Sequence, residues 1–540
     1  MSRPQYSIGI DFGTESGRAL LLDLESGEER AVSAVPYPSA VIDRALPGTE
    51  ERLPPDWALQ DPDDWVTVVE RAIPEALSKA DVPREAVVGL GVDFTSCTVL
   101  PVNSDGTPLC KLEQWRGHPH AWPKLWKHHA AQPVADRLTE VALERGDDFL
   151  SRYGGKISSE WYFPKLIELW LEDREIYEEA HAFIEATDWV IWWLTGNPVR
   201  QTCTAGYKAL WSPDEGLPPR EYFEAAYPGF DTPAEKLGRK FVPLGTRAGT
   251  LAPAAAEAIG IPESVAVAVG NVDSFVSVPG AGVEHPGTYV MVVGTSICDM
   301  IVDPREVRLP GITGVLRDGI LPGLYGYEAG QVAVGDMLAW FVETLSDRSY
   351  GELEAAAAKL RPGETGLVAL DWWNGNRTIL ADADLTGAIL GLTLQSSQEQ
   401  IYRALLESIA FGNRRIMENF SEHGLELTQI VACGGIAERS PLVMQLLADT
   451  SGLDVHVPAS TEIPARGAAL FGAVAAGAFP DIGSAVAATR PGVARTYTPD
   501  AAAKAVYDEV YAIYRGLYET LGRSQVELLH GLKRIRTERR

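Results

Sequence analysis

Ser7-Ile8-Gly9-Ile10-Asp11-Phe12-Gly13-Thr14-Glu15-Ser16-Gly17-Arg18 is the stretch whose reading decides the fold. An apolar run ends in an acid, two glycines bracket small hydroxyl residues, and Ala19-Leu20-Leu21-Leu22-Asp23 comes at once after them. The pattern predicts a strand, a tight turn and a second strand. Glycines let backbone N–H groups approach an anion closely, and Thr14 and Ser16 add hydroxyl donors. Asp11, at the strand end, is placed to face a metal ion bound to that anion. Taken alone, the stretch fits an ordinary hairpin with an exposed acid equally well.

A second stretch answers the first. Thr288-Tyr289-Val290-Met291-Val292-Val293 breaks at Gly294-Thr295-Ser296, and shortly before it Val269-Gly270-Asn271-Val272-Asp273 delivers another strand-end acid. Two such turns and two such aspartates, one set per half, point to two related lobes that close on a nucleotide. The sequence contains no GxxxxGK[ST], no GxGxxG and no HExxH.

A chain of 540 residues is expected to divide into about two or three domains. Its 46% hydrophobic and 22% charged content is that of a folded protein, and a net charge of −27 disfavours nucleic acid and anionic membranes as partners. An anion site here must rest on local amides, a metal ion and a few cations rather than on the overall field. The five cysteines follow no metal-ligand spacing, and the nine histidines, His128-His129 included, give no zinc pattern. No basic-then-apolar leader and no 18-residue apolar run is present, so a cytoplasmic protein with reduced thiols is expected.

Along the chain, Val66, Val69, Ile73 and Leu77 keep helical spacing, and Val87 to Asp93 reads as a strand ending in a third acid before the small-residue turn Phe94-Thr95-Ser96-Cys97-Thr98. Asp93 reads as catalytic, metal-associated or simply turn-forming. Trp126, Trp161, Trp170, Trp189, Trp192 and Trp193 mark a helical segment in which most are expected in the core. Lys208 stands between small and aromatic residues, either solvated or aimed into a pocket. Glu328 and Gln331 precede an apolar helical stretch that they are able to cap. Ile430 to Cys433 is a strand ending in Gly434-Gly435, and Ser440-Pro441 caps a helix over Leu442 to Thr450. The final helix, Ala501 to Leu521, is expected to pack through Val506, Val510, Ile513, Tyr514, Leu517 and Leu521.

Taken together, Asp11 to Arg18, Leu125 to His129, Tyr153 to Trp161, Cys203 to Trp211, Gly294 to Ser296, Tyr327 to Asp336, Asp371 to Gly375 and Gly434 to Ile436 resemble the FGGY family of carbohydrate kinases, and within it the ribulokinase branch. The resemblance implies an α/β, two-lobed fold like that of actin, Hsp70 and hexokinase, each lobe a mixed sheet flanked by helices, with the active site in the cleft. It implies an N-terminal lobe over 1–260 and a C-terminal lobe over 261–540. It further implies ATP and Mg2+ as cofactors, a small sugar as partner, and transfer of the γ-phosphate to O5 of L-ribulose in L-arabinose catabolism; a homodimer is compatible with it.

Carried over residue by residue, Asp273 is the general base and Asp11 works with magnesium. Gly13, Thr14, Gly294, Thr295 and Ser296 hold ATP phosphates, and Gly434 and Gly435 lie against the adenosine. Ser96, Lys208 and Glu328, with Asp273, contact the sugar. One departure stands out: the family's first signature pairs a lysine with a tryptophan three residues on, whereas Lys165 here is followed by Trp170, and the region is given no catalytic role. The competing readings are a kinase of xylulose, a pentitol or glycerol, and an actin- or Hsp70-like ATPase that drives assembly or partner binding.

Overall fold

The computed structural model describes residues 4–230 and 232–539. Tyr6–Phe12 (β1) is buried at every residue, and Ser16–Asp23 (β2) returns antiparallel to it with Arg18 opposite Asp11. Glu29–Pro36 (β3) continues the meander, while Val87–Phe94 (β4) lies parallel to β1 on its other side. Strands buried on both faces lose the polar alternation of an exposed strand, so β1 and β4 read as nearly continuous apolar runs. Val99–Val102 (β5) and Ala182–Glu185 (β6) form a separate antiparallel pair. Arg247–Thr250 (β7), Ala266–Ala268 (β8) and Asn271–Val272 (β9) complete the first sheet, in the order β3-β2-β1-β4-β8-β7 with β9 also on β4.

The second sheet repeats this plan. Thr288–Val293 (β10) and Ile297–Asp303 (β11) form a hairpin, followed by Gly314–Arg317 (β12) and Tyr325–Gln331 (β13). Val368–Leu370 (β14) and Ala388–Leu390 (β15) pair apart from the sheet. Gln429–Cys433 (β16) lies parallel to β10, and Val455–Pro458 (β17) and Val493–Tyr497 (β18) finish the order β12-β13-β11-β10-β16-β17-β18. The trio β11-β10-β16 thus has the same directions as β2-β1-β4: a hairpin whose first strand has a parallel neighbour.

The chain divides into two compact units, neither continuous in sequence. The first comprises Met1–Glu284, Leu316–Gly326 and Glu462–Pro491; the second comprises His285–Val315, Tyr327–Thr461 and Gly492–Arg540. A division after residue 260 falls inside the first unit, because β8 and β9 pair with β4 and draw Asp273 into it.

Helix Ile463–Ala475 belongs to the first unit and lies on β1 and β4. A Cβ at Gly9 would stand 1.7 Å from the carbonyl oxygen of Ala465, and one at Gly91 would stand 1.9 Å from that of Ala468. Both strand glycines therefore exist for the helix: no side chain fits between the layers. Ser7 Oγ adds a hydrogen bond to the Ala469 carbonyl at 2.7 Å.

Of the tryptophans, Trp161, Trp170 and Trp189 are buried core residues, whereas Trp126, Trp192 and Trp193 are half-buried. Helix Ala501–Glu519 packs differently from its aliphatic pattern. Its buried residues are Tyr507, Tyr511, Tyr514 and Tyr518, while Val506 and Ile513 are exposed. The tyrosines win because each ring supplies apolar area and three of the four hydroxyls find partners: Tyr507 donates to Glu407 at 3.2 Å, Tyr511 to Glu418 at 2.6 Å and Tyr514 to Asp371 at 2.7 Å.

Gly91→Ala is expected to lower stability by about 1–3 kcal/mol, the usual cost of overpacking. Urea unfolding checks it; an unchanged midpoint would mean that the helix moves away freely.

Candidate active site

In the first unit three acids stand at the ends of neighbouring strands. Asp11 on β1 is in register with Asp93 on β4, and Asp93 is in register with Asn271 on β9. Two residues beyond Asn271, Asp273 heads the helix Asp273–Gly280 and its Oδ1 accepts from the Ser274 N–H at 2.6 Å. Parallel pairing brings these residues together although they lie far apart in sequence. Asp11 and Asp93 are buried and Asp273 is half-buried.

Arg18, opposite Asp11 across the hairpin, brings Nε to 3.5 Å from Asp11 Oδ2 and an Nη to 3.5 Å from Glu462 Oε2. Burial raises the Asp11 carboxyl above its usual range, and Arg18 opposes that rise. Asp93 is pushed well above the carboxylate range by burial and by its neighbours Asp11 and Asp273. Burial and these two neighbours thus favour the protonated form of Asp93.

The first glycine turn is closed by Gly13 N–H donating to the Ser16 carbonyl at 3.0 Å. Three further groups fix it: Tyr37 Oη donates to the Gly13 carbonyl at 2.9 Å, Gln60 Nε2 to the Thr14 carbonyl at 2.8 Å, and Trp126 Nε1 to Thr14 Oγ1 at 3.1 Å. Gln60 carries no pattern in the sequence that marks it, and Trp126, though within the telling segment Leu125 to His129, is placed at this turn only by the folded chain.

Ser96 lies in the turn after β4, and its Oγ is buried without a hydrogen-bond partner. A buried hydroxyl left unpaired is costly, so such a group points to a ligand. Lys208 ends helix Thr202–Lys208, whose first turn is capped by Gln201 accepting from Thr204 N–H at 2.9 Å. Tyr153 Oη donates to the Gly206 carbonyl at 2.6 Å and steadies the same helix. Lys208 is buried, not solvated, and its Nζ lies 5.8 Å from the centre of the Phe275 ring. Phe275 stands two residues after Asp273, so Lys208 lies against the helix that Asp273 heads.

In the second unit the other glycine turn joins β10 to β11, with Gly294 N–H donating to the Ser296 carbonyl at 2.9 Å. Val334 N–H donates to the Thr295 carbonyl at 3.0 Å, which sets the start of helix Gly335–Leu345 against the turn. Gly434 comes directly after β16 with φ +92°, and a Cβ there would meet the Val293 carbonyl oxygen at 2.8 Å. Since Val292 is in register with Cys433, Gly294 and Gly434 leave adjacent strands side by side. Glu328 is a buried residue of β13 rather than a helix cap. Gln331 likewise donates from Nε2 to Asp371 Oδ2 at 2.9 Å.

Residues 6–280 match the N-terminal domain of the FGGY family of carbohydrate kinases, and residues 289–476 match its C-terminal domain. The chain belongs to the FGGY carbohydrate kinases. This FGGY kinase is 48% identical to a ribulokinase of Anoxybacillus flavithermus, over 98% of this chain and 97% of that protein. It is 47% identical to a ribulokinase of Geobacillus thermodenitrificans, again over 98% and 97%. The crystal structure of xylulose kinase from Rhodospirillum rubrum shares the fold, with a TM-score of 0.78 at 23% identity, covering 96% of this chain and 99% of that one.

No cluster of three or more His, Cys, Asp or Glu side chains able to cage a metal occurs among the described residues. The donor set suits magnesium none the less, because that ion keeps several waters and takes one or two carboxylates together with substrate phosphates. Asp11, beside the first glycine turn, is such a carboxylate.

Elsewhere in the first unit, the Nε2 of buried His128 lies 2.9 Å from Glu168 Oε2, and Lys124 pairs with the same carboxylate. Burial, reinforced by Lys124 and Lys165 and opposed by Glu168, lowers the His128 pKa from 6.5 to about 4. The folded state thus binds this proton less readily than the unfolded chain, so the contribution is complete above pH 6.5 and is lost as pH falls toward 4. Relative to His128→Gln, wild-type stability is expected to drop by about 2 kcal/mol between pH 7 and pH 5. Paired denaturant titrations at the two pH values measure this difference.

Proposed function

We propose that this carbohydrate kinase uses ATP and Mg2+ to phosphorylate O5 of L-ribulose, giving L-ribulose 5-phosphate for L-arabinose catabolism in the cytoplasm. The observation that carries the reading is buried Lys208 beside the helix headed by Asp273, in a chain 48% identical to a ribulokinase over 98% of its length.

Asp273 takes the proton from the sugar hydroxyl, a role that suits a half-buried carboxylate anchored at a helix start. Ser96 offers a hydroxyl that the protein leaves unpaired, and Lys208 offers donors only. Glu328, when ionised, accepts only, so Lys208 and Glu328 are suited to recognise neighbouring hydroxyls of an open-chain ketose. Gly13 and Thr14 in one unit, and Gly294, Thr295 and Ser296 in the other, supply turns that admit phosphate oxygens. Gly434 and Gly435 give the adenosine a surface without side chains. Asp11 holds magnesium, which when bound neutralises the phosphate charge that develops during transfer.

ADP release measured across a panel of ketoses and polyols tests the assignment. L-ribulose is expected to stimulate release many-fold over the sugar-free rate. Stronger stimulation by xylulose or glycerol would reassign the acceptor, and indifference to every sugar would favour an assembly ATPase.

Asp273→Asn is expected to lower kcat by at least about 100-fold with both KM values nearly kept, because the lost group acts on the transferring proton. Near-normal turnover would remove it from the mechanism. Lys208→Met and Glu328→Gln are each expected to raise the KM for L-ribulose by about 10-fold or more while the KM for ATP hardly moves. A shift confined to ATP in steady-state kinetics would place the sugar elsewhere.

A further inference from the structure

The turn that carries Ser96 is tied down by a lysine from a distant helix. Lys165, on helix Tyr162–Glu172, is completely buried. Its Nζ donates to the carbonyl oxygen of Cys97 at 2.6 Å and to that of Leu125 at 2.9 Å. Cys97 is the residue directly after Ser96, and its Sγ donates to Glu185 Oε1 at 2.8 Å. The backbone of Lys124 pairs with that of Val99 in both directions, at 2.8 and 3.1 Å, so the 124–125 segment is already fixed to the strand leaving the turn. The ammonium therefore fastens the near end of the turn to a segment that is itself immobile.

Within the turn, the remaining ties hold its two ends, with Ala186 N–H donating to the Thr98 carbonyl at 2.7 Å. Thr95 N–H reaches the Phe12 carbonyl at 3.1 Å, and Thr98 Oγ1 reaches the Thr95 carbonyl at 3.0 Å. Neither bond fixes the peptide between Ser96 and Cys97. Lysine suits the task because it offers three donors and no acceptor to carbonyls outside any strand ladder. Burial lowers the Lys165 pKa, and Glu185, buried beside Cys97, opposes that fall.

We propose that Lys165 is a positioning residue for sugar binding: by holding the Cys97 carbonyl it sets where the unpaired Ser96 hydroxyl points. The inference rests on the reading of Ser96 as a sugar contact. Lys165 is fully buried with its Nζ on two backbone carbonyls, and the proposed effect on the sugar passes through the one beside Ser96. A residue needed only for folding would leave the sugar constants of the folded enzyme alone.

The test is a double-mutant cycle on the full chain with Lys165→Met, Ser96→Ala and their combination, reading KM for L-ribulose, KM for ATP and the melting temperature. Lys165→Met is expected to raise the L-ribulose KM by about 10-fold or more and the ATP KM by less than about 3-fold. In the double variant the sugar KM should be no higher than in the more severe single variant. Lys165→Gln, which keeps a donor for one carbonyl, replaces Lys165→Met in the cycle if the latter does not fold. Sugar effects of the two substitutions that multiply would overturn the proposal, as would a lowered melting temperature with an unchanged sugar KM. A Ser96→Ala enzyme with wild-type sugar KM would instead overturn the reading of Ser96, and the proposal with it.

Discussion

Helix Ile463–Ala475 approaches the first sheet so closely that the carbonyl oxygens of Ala465 and Ala468 stand where Cβ atoms of β1 and β4 would otherwise be. Everything at the site of the first unit inherits its geometry from that contact. With glycine at 9 and 91 the helix seats flat across both strands, and β1 and β4 keep the parallel register that puts Asp11 beside Asp93. The register then passes to β9, which fixes where Asp273 begins its helix. The helix arrives only after the chain has built most of the second unit, so the first unit is complete only once Glu462–Pro491 has returned to it.

Local charge, not overall charge, governs the site. The chain carries a net charge of −27, yet Arg18 sits between Asp11 and Glu462, and buried Lys208 lies near the Phe275 ring. Desolvation sets the rest. Burial, with Asp11 and Asp273 nearby, pushes the Asp93 carboxyl well above its usual range. Glu168 does the reverse: against the cost of burial, Lys124 and His128 hold its carboxyl below the usual range. Two buried acids in one unit are thus shifted in opposite directions, decided by which neighbours share their surroundings.

The features legible in the sequence were those that depend on residues close together in it. The turn Gly13 to Ser16 and the turn at Gly294 could be read because a strand, its acid and its glycines are contiguous. The helix after Ser440-Pro441 is found at Pro441–Ser451, with Ser440 Oγ accepting from Val443 N–H at 3.3 Å, because capping is equally local. The unit boundary was not legible, since nothing near residue 260 records that β8 and β9 pair with β4. Nor was the tyrosine face of helix Ala501–Glu519, because its partners Glu418 and Asp371 come from other elements. Lys165 stood out in the sequence only as a departure from the family's signature, because its partners are carbonyls at 97 and 125.

The repeated arrangement of β2-β1-β4 and β11-β10-β16 explains why two glycine turns occur, but not why the two units use them differently. The difference lies in the segment that each parallel strand leads into. After β4 comes the turn with Ser96, and the first unit adds Asp11, Asp273 and Lys208, the groups to which the proposed function gives metal binding, proton transfer and sugar recognition. After β16 comes Gly434, held at φ +92° against the Val293 carbonyl, where any side chain would be both strained and in collision. An ionisable residue at that strand end is excluded by the backbone itself. One strand plan therefore yields an end with ionisable side chains where the turn admits them and a bare backbone end where it forbids them; under the proposed function the first supplies a base for the acceptor and the second an unobstructed seat for the donor.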